Sequence, residues 1–114
     1  MSLDLALGDI TRIPGVRGAL VVSSEDGLVV ADALMEGVDG GAVAALAASL
    51  AGRKRGVTAV LGQPEPVLLM LGGTEGMLLL APGRSGLLLV AVAGPDVNVA
   101  ELRLSVLAAA GTTF

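Results

Sequence analysis

Ile13-Pro14-Gly15-Val16-Arg17-Gly18-Ala19-Leu20-Val21-Val22-Ser23-Ser24-Glu25-Asp26-Gly27-Leu28-Val29-Val30-Ala31 packs a helix stop, a strand, a tight turn and a returning strand into one short stretch. Pro14 restricts the residue before it and cannot continue a helix, and Gly15 lets the chain turn. Val16 to Ser24 is apolar and valine-rich, the pattern of a strand covered on both faces. Glu25-Asp26-Gly27 supplies hairpin chemistry, with Asp-Gly at positions that tolerate positive φ. Leu28 to Ala31 is the expected return strand.

Upstream, Ser2 caps an expected helix over Leu3 to Arg12, in which Leu3, Ala6, Leu7 and Ile10 make one apolar stripe. Downstream, Leu34 to Val38 reads as a connector, and Asp39 caps a longer helix from Gly40 to Leu61. Its expected apolar side carries Val43, Leu46, Ala47, Leu50, Val57, Val60 and Leu61. Gly62 sits where a left-handed residue ends a helix, and Pro64 lies just beyond. Gly52 and Gly56 each weaken that helix by up to about 1 kcal/mol relative to alanine, and they allow another backbone to approach closely.

Three short apolar runs between glycine-rich turns follow: Val67 to Leu71, Met77 to Ala81 and Leu87 to Ala93. They predict an antiparallel meander buried on both faces. Asn98 and Glu101 have capping-box spacing and open a last helix, expected from Val99 to Ala110, with Gly111 to Phe114 as a frayed tail. The expected fold is α+β: one three-layer αββαβββα domain over residues 1–114, a five-stranded antiparallel sheet with helices on both faces.

Composition narrows the function. The 114-residue chain is 54% hydrophobic, chiefly alanine, valine and leucine, with Phe114 its one aromatic residue. So apolar a small domain is expected to cover part of its surface with a partner. The net charge of −4, from 7 basic and 11 acidic residues without a basic stripe, argues against nucleic acid, as does the lack of stacking aromatics. The N-terminus carries Asp4 and Asp9 and does not read as a secretory signal. No uncharged apolar run is long enough to span a bilayer, so a cytoplasmic protein is expected.

Catalytic constellations are scarce. There is no histidine to serve as general base or metal ligand, and no cysteine. No serine stands in a Gly-x-Ser-x-Gly elbow. Lys54 lies between Arg53 and Arg55 on a polar helix side, not in the apolar pocket that a Schiff-base lysine needs. Gly72-Gly73-Thr74-Glu75-Gly76 and Gly83-Arg84-Ser85-Gly86 are flanked by strands, not by a helix N-terminus, and read as hairpin turns. No catalytic residue, metal ligand or cofactor is therefore expected. Arg53-Lys54-Arg55 is the one polar feature that stands out: a solvated helix face, or a docking patch for an acidic partner.

Three motifs resemble the roadblock family, the small domains named after the dynein light chain roadblock. They are Ile13-Pro14-Gly15-Val16-Arg17-Gly18-Ala19, Ser24-Glu25-Asp26-Gly27-Leu28-Val29-Val30-Ala31, and Pro95-Asp96-Val97-Asn98 with Leu102 and Arg103. Their order and spacing carry the likeness over nearly the whole chain, with the roadblock/profilin-like architecture it implies. The resemblance implies dimers in which central helices pack side by side and third strands pair edge to edge. The implied interface is Val43, Leu46, Ala47 and Leu50 with Val67, Leu68, Leu69, Met70 and Leu71. It also implies a non-enzymatic adaptor that binds a small Ras-like GTPase on the paired helices, near Arg53, Lys54 and Arg55. The alternative it leaves open is a scaffold subunit that heterodimerises with another roadblock-type chain and never touches a GTPase.

Overall fold

The computed structural model describes residues 3–62, 68–83 and 86–113. Helix α1, Leu3–Thr11, buries Ala6, Leu7 and Ile10. It ends where the Thr11 hydroxyl donates back to the carbonyls of Leu7 and Gly8, at 3.0 and 3.1 Å, as the proline approaches. Gly15 then takes φ +93° and turns the chain into β1, Val16–Ser23. Among the described residues the remaining elements are β2 Val29–Leu34, α2 Gly40–Leu61, β3 Leu69–Gly73, β4 Gly76–Pro82, β5 Leu87–Ala93 and α3 Val99–Thr113. The order is the expected αββαβββα, and the fold is α+β.

The β1–β2 turn follows its residue chemistry. Gly27 has φ +72°, its N–H donates to Ser23 at 2.9 Å, and the Asp26 carboxylate accepts from the Leu28 N–H at 3.1 Å. Asp39 caps α2 by accepting from the Ala42 N–H at 3.1 Å, and Asn98 caps α3 by accepting from the Glu101 N–H at 3.1 Å. Gly62 ends α2 with φ +65°. The Ser2 cap, the Gln63 to Val67 segment, Arg84, Ser85 and Phe114 lie outside the described residues.

Every strand pairing is antiparallel, and the spatial order is β2-β1-β5-β4-β3. The two hairpins are joined by β5 lying against β1, so β1, β5 and β4 form the buried centre and β2 and β3 the two edges. On one face α1 and α3 cover Ala19, Val21, Leu79, Ala81, Leu89 and Ala91. On the other, α2 alone covers Leu20, Val22, Leu80, Leu88 and Val90.

Several boundaries differ from expectation. β2 starts at Val29 and continues to Leu34, absorbing part of the expected connector. β3 is shifted to Leu69–Gly73 and is exposed along most of its length, not buried on both faces, because it is the last strand of the sheet. The expected frayed tail after Ala110 is helical through Thr113. In α2 the side turned to the sheet is Ala44, Ala47 and Ala51, whereas Leu46, Val60 and Leu61 are exposed.

Candidate docking surface on the single-helix face

Helices and strands have fixed widths, and the α2 face does not fill its own. Five strands at about 4.8 Å spacing make a sheet about 24 Å across, and one helix covers about 10 Å of it. Two helices close the opposite face, whereas α2 lies over β1, β2 and β5. Cross-strand register puts Leu69 opposite Leu80 and Leu71 opposite Leu78, with Leu78 opposite Val92 on β5. All of these share the α2 side of the sheet, because residues paired across a ladder point the same way. Leu71 is 53% exposed, and Leu69, Leu78 and Val92 are only half-buried. An apolar strip therefore runs beside α2, bounded by the open edge of β3. An open groove of about 550 Å³ continues it at one end, lined by Arg17, Leu71, Leu78, Val92 and the Gly72–Gly76 turn.

Among the described residues the outward surface of α2 is largely apolar and low. Ala42, Ala45, Leu46, Ser49, Gly52, Arg53, Gly56 and Val60 are exposed, and nothing lies within 4 Å of a Cβ added at Gly52 or Gly56. Leu46 is 48% exposed, in a helix that has no acidic residue in its first turn. Near the C-terminal end, Arg53, Gly56, Val60 and Leu61 line a shallow hollow with almost wholly apolar walls.

Each expected contact residue has a definite place. Val43 and Leu50 are half-buried on the flanks of α2, and Leu46 points outward. Ala47 faces the sheet and is completely buried within the chain, so its contacts are internal. Leu68 and Leu69 are half-buried, and Met70 and Leu71 are exposed on the β3 edge. Val67 lies outside the described residues, as do the side chains of Lys54 and Arg55; Arg53 is exposed. The sequence reading missed the strip of Leu71, Leu78 and Val92. It also placed Val60 and Leu61 on the inner side of α2. The alanine seam at Ala44, Ala47 and Ala51 was the available signal for the inner side, with spacing i, i+3, i+7, but larger side chains masked it.

In the β1–β2 turn, whose Gly27 lies against α2 at Ala44 and Ala48, Asp26 is held below the usual carboxylate range, first by the Leu28 N–H and then by the Ser23 hydroxyl. Among the described residues no group of three or more aspartates or glutamates could hold a metal ion. No helix among them is long and apolar enough to cross a membrane.

The family model described as Roadblock/LC7 domain matches residues 3–93. No curated protein matches the sequence. Among solved structures, a Roadblock/LC7 domain from Streptomyces avermitilis superposes with a TM-score of 0.81 at 23% identity, covering 93% of this chain and 89% of that one. MglB of Myxococcus xanthus gives 0.82 at 18% identity, over 93% and 80% of the two chains. The gliding protein MglB of Thermus thermophilus gives 0.79 at 21% identity, over 90% and 78%. At these identities the likeness establishes a shared fold.

Proposed function

The chain belongs to the Roadblock/LC7 domain family, and from that premise we propose that it is a homodimeric, non-enzymatic adaptor that docks a small Ras-like GTPase on a platform of two α2 helices. The observation that carries the reading is the half-covered face. A second copy related by a two-fold axis, with β3 laid against β3, would extend the sheet across the open edge. The same operation sets the second α2 beside the first, over the strip of Leu69, Leu71, Leu78 and Val92. Gly52 and Gly56 lower the helix surface where two backbones would approach. The scarcity of catalytic groups and the regulatory character of the family fit an adaptor that acts through contact.

Arg53 lies on the exposed side of α2 and would stand at the rim of such a platform, where charge speeds encounter more than it adds affinity. Neighbours in fold include a gliding protein, which favours a bacterial gliding-motility GTPase as the first partner to test. The test is a binding measurement between the purified chain and a Ras-like GTPase loaded with GTP or GDP. Nucleotide-dependent binding that the Arg53→Glu, Arg55→Glu variant slows about tenfold supports the docking assignment. Unchanged association of that variant removes the site. A chain that stays monomeric at micromolar concentration favours the heterodimeric scaffold instead.

A further inference from the structure

The opposite edge of the sheet has different chemistry. β2 closes the spatial order at the end away from β3, so β3 pairing would leave it open. The Met35 N–H donates to the Arg17 carbonyl at 2.9 Å, so the backbone groups of Met35 point towards β1. Successive residues of a strand alternate, which turns the N–H and C=O of Leu34 and Asp32 outward. A register shift after Val21 sets Val22 opposite Val29 and leaves Val30 as an extra residue at the edge. Leu28 is 64% exposed, Val30 51% and Met35 59%, a run of large apolar side chains along this one edge.

Carboxylates dominate this edge, and cations approach it only at the Met35 end, where Arg12 and Arg17 line one hollow with Met35. From Gly18 to Gly52 the sequence holds Glu25, Asp26, Asp32, Glu36 and Asp39 and no basic residue. All five carboxylates are exposed, and among the described residues the one salt bridge is Arg12–Asp9, on α1. Arg17, at the start of β1, carries its guanidinium over Gly94, where an added Cβ would sit 3.2 Å from Nη2. Its guanidinium therefore lies towards β5, beyond the Met35 end of the edge and away from Asp32.

We propose that the outer edge of β2 is a docking strand for an extended partner segment in which basic residues alternate with apolar ones. Its main chain would pair with the outward groups of Asp32 and Leu34. Its lysines or arginines would meet Asp32 and Glu36, and its apolar side chains would cover Val30 and Met35. Asp32 also decides against a second copy of this chain. Two β2 edges paired about a two-fold axis bring Asp32 close to Asp32, and like charges across a ladder destabilise it. One carboxylate thus refuses self-association and selects a basic strand, and the site lies at the edge of the sheet opposite β3.

The test is hydrogen exchange read by NMR on the full chain, with acetyl-Lys-Val-Lys-Val-Lys-Val-Lys-amide as probe and its Glu-for-Lys counterpart as control. At about 1 mM of the basic peptide, exchange of the Asp32 and Leu34 amides slows about tenfold, and the acidic peptide has no effect. Asp32→Lys reverses that preference. Glu36→Lys, outside the strand ladder, weakens the basic peptide in the same direction and carries the test if the first variant misfolds. No slowing at Asp32 and Leu34, equal effects of the two peptides, or protection confined to α2 or β3 would each overturn the assignment.

Discussion

Gly76 has φ +152°, and a Cβ there would sit against the Ala93 carbonyl oxygen well inside van der Waals contact. The obstacle is backbone of β5, which cannot rotate away. Gly76→Ala is expected to destabilise the chain by about 3 kcal/mol, read from chemical denaturation. Asp26 yields a different prediction. Its carboxylate accepts the Leu28 N–H, which lowers its folded pKa below the ordinary value of 3.8. A depressed carboxyl contributes stability above the unfolded pKa and loses it as pH falls through the folded value. Asp26→Asn should therefore show a shallower loss of stability than the wild type below about pH 4, measured as the denaturation midpoint against pH. The group is fully exposed, so the difference is small.

Helix α2 meets the sheet through Ala44, Ala47 and Ala51, and the absence of larger side chains sets how close the helix lies to Leu20, Leu80 and Val90. Ala47→Leu forces that contact apart and is expected to cost about 1–3 kcal/mol, again by denaturation, whereas a change at exposed Ala45 should cost little. Much of this architecture was legible in local signals. Pro14 and Gly15 fixed the end of α1, Asp26-Gly27 the hairpin, and Asp39, Asn98 and Gly62 the caps of α2 and α3. Less legible was anything decided by neighbours distant in sequence. β2 extends to Leu34 because β1 offers it partners as far as Gly18. β3 reaches Gly73 because β4 begins at Gly76 opposite it. The inner side of α2 escaped a reading based on large apolar residues, since alanine is a weak hydrophobic signal and Leu46 a strong one. Exposure of Leu71 and Val60 could not be read from composition, because it depends on how wide the sheet is and how little of it α2 covers.

Two helices on one face and one on the other leave the chain unbalanced as a monomer, and Leu46, Val60, Leu61 and Leu71 are left exposed on the α2 side. If a second copy completes that side, light scattering should return a mass twice 11.2 kDa that persists on dilution. Leu46→Glu should then lower the mass towards the monomer while leaving the denaturation midpoint of the isolated domain nearly unchanged, since Leu46 is half in solvent already. A dimer that survives Leu46→Glu intact would move the interface elsewhere. Charge is also sorted along the surface, with exposed carboxylates from Glu25 to Asp39 and exposed Arg53 towards the far end of α2, so a partner approaching α2 meets opposite fields at its two ends. The helices that begin and end the described chain, α1 and α3, share the face of the sheet opposite α2. A fluorescent protein, an affinity tag or a surface tether joined at either terminus would hang from the rear of the domain, so immobilised protein would present α2 to whatever flows past.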